Sequence, residues 1–136
     1  MKKIIIALAC IASLMSCTSP NIKRAQELNA EYTQKADSVE VVLNAMADVI
    51  DITPDEEAYI EAHAYTIAYL RAILVAKNWD LKIVPFISGV ESRMERTMSL
   101  YVPLSPEKKV YASAYDEMIT YRVIAWLFDE WLKLPQ

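Results

Sequence analysis

Apolar residues recur at spacings of three and four along most of the chain, the period of helices that bury one face. Ile22, Ala25, Tyr32, Ala36, Val39, Leu43, Met46 and Ile50 form one such stripe, with Lys23, Arg24, Glu27, Glu31, Lys35 and Glu40 on the other faces. Glu31 and Lys35 stand in the favourable i,i+4 order, worth about 0.3 kcal/mol. A second stretch carries Ile60, Ile67, Leu70 and Leu74 on one side, with His63 among them. Ala58, Ala62, Tyr65, Tyr69, Ala72 and Ala76 lie nearly opposite. A third places Phe86, Val90, Met94, Leu100 and Tyr101 against Glu91, Ser92, Glu95 and Ser99. The fourth runs Val110, Ala114, Met118, Tyr121, Ala125, Phe128 and Leu132, widened by Ile124, Leu127 and Trp131 on one flank and by Trp126 on the other. Helices two and four are apolar on more than one face, which predicts that they sit centrally or meet a partner or a second copy of the chain.

Prolines punctuate these stretches. Thr53-Pro54-Asp55-Glu56 has a capping threonine, a proline suited to the first helical position and the glutamate of a capping box. Ser105-Pro106-Glu107 repeats the cap and the proline, but Lys108 takes the box position. The pattern predicts helices over 20–50, 54–78, 83–101 and 106–133 in an all-α four-helix bundle spanning 20–136. Thr53-Pro54, Tyr59, Ala62, Ile67 and Tyr69 match Ser105-Pro106, Tyr111, Ala114, Ile119 and Tyr121 at an offset of 52. Two pseudo-repeated αα-hairpins, or shared capping and packing constraints, would each produce that match.

Composition narrows the chemistry. One glycine in 136 residues excludes hairpin-rich β folds and Gly-rich phosphate loops. That glycine, Gly89, falls inside the third predicted helix, where it suits a close helix crossing. One histidine removes poly-His metal sites. The Glu-x-x-His of di-iron bundles is absent, since Ile60 stands three residues before His63. We expect no metal and no cofactor.

The N-terminus reads as a targeting segment. Lys2 and Lys3 precede an apolar run, Ile4 to Met15, too short to span a bilayer permanently. Leu14-Met15-Ser16-Cys17 resembles the lipobox of bacterial lipoproteins, and the resemblance covers residues 1–17 alone. It implies a cleaved signal peptide over 1–16, lipidation of Cys17 and a tether over 17–19. Thr18 after the cysteine carries no retention signal, which implies the outer membrane, facing the periplasm. Two or three acyl chains would hold the protein stably. The short tether would keep the domain within about 10–15 Å of the membrane.

Cleavage would remove Lys2, Lys3 and Cys10, leaving 12 basic against 18 acidic residues. A net charge of −6 disfavours nucleic acid, which needs a basic patch. With Cys17 lipidated no disulfide remains, so the fold must rest on its apolar core.

Candidate polar groups are few. The helical neighbours of His63 are Tyr59, Ile60, Thr66 and Ile67, none a carboxylate, so it reads as a core or rim residue bonded to a tyrosine or a backbone carbonyl. Arg122 shares a side of the fourth helix with Tyr115, Trp126 and Asp129. Trp126, one turn on, could stack on the guanidinium, and Asp129, two turns on, could pair with it. With Tyr65 and Tyr69 these four are the candidate contacts for a partner or an anion; no catalytic residue stands out. The expectation is a non-enzymatic binding or scaffold lipoprotein of the envelope. An immunity-type protein that occludes a cationic toxin is a second reading. A small-ligand carrier or enzyme with a Tyr/Met-lined pocket is a third.

Overall fold

The computed structural model describes residues 20–79 and 99–134. They form three helices: α1 (Pro20–Ala47), α2 (Pro54–Asn78) and α3 (Pro106–Leu132), with no strand among them. The helix expected over 83–101, with Gly89, lies almost wholly outside the described residues, as do Cys17 and the segment before it. The fold class is therefore all-α.

Local chemistry sets the boundaries. Thr53 is extended at φ −73°, ψ 158°, and its hydroxyl accepts from the Glu56 amide at 3.2 Å. The Glu56 carboxylate accepts from the Thr53 amide at 3.0 Å, closing the capping box. Pro54 starts the helix, where its missing N–H leaves nothing unsatisfied. Asp55, Glu56 and Glu57 place negative charge at the positive end of the helix dipole. α3 begins the same way at Ser105, whose hydroxyl accepts from the Lys108 amide at 3.4 Å. α1 stops three residues short of the expected 50. The Val49 and Ile50 amides both turn back to the Met46 carbonyl, at 3.1 and 3.0 Å. No basic side chain stabilises that last turn, and Asp48 follows it where the dipole disfavours a carboxylate.

α3 is the central element. α1 and α2 each pack along it, and among the described residues they do not pack on each other. α1 runs antiparallel to α3: Ala25 packs with Phe128, Asn29 Nδ2 donates to the Ala125 carbonyl at 2.6 Å, and the Tyr32 and Tyr121 rings lie 5.8 Å apart. α2 runs parallel to α3, with Glu56 beside Lys108, His63 beside Asp116 and Trp79 beside Trp131. Each pair is 52 or 53 residues apart, so residues related by the sequence repeat stand side by side.

The core has two layers. In the larger, Ala64, Ala68, Ala72 and Ala76 of α2 meet Met118, Ile119, Val123 and Leu127 of α3, with Ala36 and Leu43 from α1. In the end layer Phe128 contributes the largest fully buried side chain. It packs with Ala25 and Ile124, flanked by Leu28, Val75, Trp79 and Trp131. Trp79 meets the Phe128 and Trp131 rings edge-on, at 5.1 and 5.5 Å, a favoured aromatic geometry.

Among the described residues α3 is central as expected, but α2 buries its aliphatic stripe only at the start, where Ile60 is 2% exposed. The alanine face is covered, whereas Leu70 and Leu74 are 42% and 64% exposed. Alanine allows α2 to lie close against α3, where the larger α3 side chains fill the seam. At the start of the expected α3 stripe Val110 is also exposed.

Candidate functional site

The parallel pairing of α2 and α3 produces three polar or aromatic features along one seam. At its start, Lys108 Nζ donates to both Glu56 oxygens, at 2.8 and 2.9 Å. The lysine that takes the box position in α3 thus completes the shell of the box glutamate in α2. The Lys108 hydrogen bond, then the Thr53 amide, hold the Glu56 carboxyl below its ordinary 4.5. A lowered acid pKa means stabilisation that is full above the unfolded value and is lost as pH falls through the folded one. Glu56→Gln should therefore lower the melting temperature at pH 7, and the gap from the parent should shrink below about pH 4.5 and close in stronger acid. Thermal melts of both proteins from pH 7 to pH 2 measure this; a gap independent of pH would refute the pair's ionic role.

Two turns along, His63 Nδ1 lies 3.1 Å from Asp116 Oδ1. The histidine's partner is thus a carboxylate of the neighbouring helix, not the tyrosine or backbone carbonyl expected from its own. Burial pushes the Asp116 carboxyl up, and the His63 hydrogen bond pulls it partly back. The pair forms one wall of an open cleft of about 210 Å³ that also takes in Lys109 and Ser113. Tyr59 and Tyr101 meet edge-to-face above it at 5.5 Å. Burial raises the Tyr59 phenol.

Further along, Tyr65 and Tyr69 of α2 face Ile119, Val123 and Trp126 of α3 across a groove of about 250 Å³, with Arg122 at its rim. Trp126 is 46% exposed. Arg122 does not pair with Asp129. Its Nη1 lies 3.0 Å from Asp37 and its Nη2 2.8 Å from Glu40, both on α1. Asp129 instead pairs with Lys133, one turn on, at 3.2 Å. Tyr115 lies against the seam with Tyr111, 6.2 Å between ring centroids. Burial first, then Glu61 and neighbouring phenols, push its hydroxyl up to about 12. Of the six candidate contacts, Arg122, Trp126, Tyr65 and Tyr69 share the groove, Tyr115 is packed near it, and Asp129 is elsewhere.

Comparison with family models, with curated proteins and with solved structures finds no match.

Among the described residues no group of three His, Cys, Asp or Glu side chains could hold a metal ion, and no helix is long and apolar enough to cross a membrane. Ser113 lies in the same cleft as His63 and Asp116, with no hydrogen bond to either among the described residues. Sequence reasoning missed the role of Asp116. The signal available was the 52-residue offset, which puts His63 opposite 115 and within one residue of the carboxylate.

Proposed function

We propose that the protein is a lipid-anchored, periplasm-facing component of the bacterial outer membrane that binds a protein partner through the groove between α2 and α3. The reading combines a signal peptide over 1–16 and an acylated Cys17 with a non-enzymatic helical domain, a four-helix bundle in which 83–101 supplies the fourth helix. The observation that carries the binding role is the exposed Trp126, flanked by Tyr65, Tyr69, Ile119 and Val123. Tryptophan, tyrosine and arginine are the residue types that dominate binding energy at protein interfaces. Arg122 already faces Asp37 and Glu40, so the surface offered to a partner is mainly aromatic and apolar. This replaces the anion contact first expected of Arg122.

The test places a photo-crosslinking residue at Tyr69 in the full chain in its native cells, with Val41, exposed on α1, as the control position. A discrete adduct from position 69 and none from position 41 is expected. Trp126→Glu should reduce that adduct by about tenfold or more, the loss of one interface hot spot. Cys17→Ser should remove both membrane attachment and the adduct. Equal labelling from the two positions, or an adduct indifferent to Trp126→Glu, would sink the reading.

A further inference from the structure

The cleft over His63 and Asp116 differs in kind from the aromatic groove. Its floor and walls are apolar, from Ile60, Val102, Leu104 and Ala112, and two tyrosines meet edge-on at its side. The lining of this open cleft also takes in an imidazole, a carboxylate, a lysine and a hydroxyl residue: His63, Asp116, Lys109 and Ser113. An apolar pocket with a few convergent polar groups is the form that small-molecule sites take. At about 210 Å³ it lies below the roughly 300–1,000 Å³ of drug-sized sites, which selects a compact ligand.

The charges decide the ligand's sign. Lys108 and Lys109 are neighbours with different circumstances. Lys108 is held by Glu56 at 2.8 Å, whereas Lys109 has no carboxylate partner among the described residues and borders the cleft. Asp116 is turned to His63, so its negative charge is offset there once the imidazole is protonated. The remaining ring nitrogen, Nε2, has no protein partner among the described residues. With a proton on each nitrogen the ring donates to Asp116 through Nδ1 and can donate to a ligand through Nε2. The groups facing His63 from both helices are Asp116, Glu117, Tyr121 and Lys109 of α3, Tyr59 and Arg71 of α2, and Tyr101 of the segment before α3. Glu117 accepts a hydrogen bond from the Tyr121 hydroxyl at 2.8 Å.

We propose that this cleft binds a small organic acid, its carboxylate set between Lys109 and His63 and its compact apolar or aromatic body against Tyr59, Ile60, Tyr101 and Leu104. Binding of the carboxylate at His63 Nε2 requires a proton there, so ligand binding and proton uptake are coupled and binding strengthens in acid. The site is independent of the protein partner proposed for the Trp126 groove.

The test is a titration of the full chain in detergent with benzoate, benzamide and benzylamine, followed by ligand-observed NMR. Benzoate should bind, more tightly at pH 5.5 than at pH 8, with benzamide at least about tenfold weaker and benzylamine weaker still. Lys109→Gln should weaken benzoate about tenfold, the loss of one charge-assisted hydrogen bond, and His63→Gln should remove the pH dependence. Lys23→Gln, on the exposed face of α1, should change nothing. Lys109 is solvent-exposed, so its variant keeps the test valid should His63→Gln disturb packing. No benzoate binding, equal affinity for benzamide, preference for benzylamine, or benzoate binding indifferent to Lys109→Gln would each overturn the proposal.

Discussion

Phe128→Ala should lower folding stability by about 3–5 kcal/mol, the range for removing a fully buried phenylalanine. The ring is 1% exposed, and it sits where all three described helices converge: Ala25 and Leu28 on α1, Val75 and Trp79 at the end of α2, Ile124 and Trp131 on α3. Removing it deletes apolar contact with each helix and the edge-on meeting with Trp79. Domains of this size have about 5–15 kcal/mol in total, so the variant should be marginal at 37 °C. Phe128→Leu should lose less, since it fills most of the volume and gives up the aromatic geometry alone. Urea unfolding followed by circular dichroism measures both. Tryptophan fluorescence adds a local readout, because Trp79 and Trp131 flank the ring. A loss under about 1 kcal/mol for the alanine variant would show that the end layer does not tie the helices together.

The opposite change is expected to be harmful on the middle of α2. Ala68 is fully buried against α3, and Ala68→Leu forces a larger side chain into that seam. Overpacking of this kind costs about 1–3 kcal/mol. Leu74, two turns of α2 away in sequence order and 64% exposed, provides the contrast: Leu74→Ala should change stability by no more than about 0.5 kcal/mol. The pair of measurements separates size from hydrophobicity, since leucine is more apolar than alanine and yet belongs on the outer face. If Ala68→Leu stabilised the protein and Leu74→Ala destabilised it, the assignment of the buried face of α2 would be reversed.

That face shows what the sequence could and could not express. The start of α2 was legible to the residue, because Thr53, Pro54 and Glu56 act within one turn and need no other part of the chain. The same holds for Ser105 and Pro106. The all-helical class followed from periodicity and the single glycine. The buried side of α2 was ambiguous, because its aliphatic and its Ala/Tyr faces are both apolar; the side packed on α3 takes Ile60 from the first, Ala72 and Ala76 from the second, and Ala64 and Ala68 from neither. Arg122 was correctly placed near Trp126, but its partner was sought on its own helix, at Asp129, when helix packing supplied Asp37 and Glu40 from α1. His63 was read alone for the same reason: Asp116 is 53 residues away, and no local spacing connects them. Local chemistry gave the segments, and the pairing of segments gave the site.

The central place of α3 has a consequence for the order of events as the chain is made. α1 and α2 come first from the ribosome, yet the described contacts of each are with α3. The Asn29–Ala125 bond closes a loop of 96 residues and the Glu56–Lys108 pair one of 52. Loops of that length are slow to close compared with local helix formation. Until α3 has been synthesised, the alanine seam of α2 and the Ala25–Ala36–Leu43 stripe of α1 lack the α3 surface on which they pack among the described residues. The packing described for α1 and α2 should therefore form only once α3 arrives. Such late folding would suit the export proposed above, in which the chain is threaded across a membrane before it takes its shape.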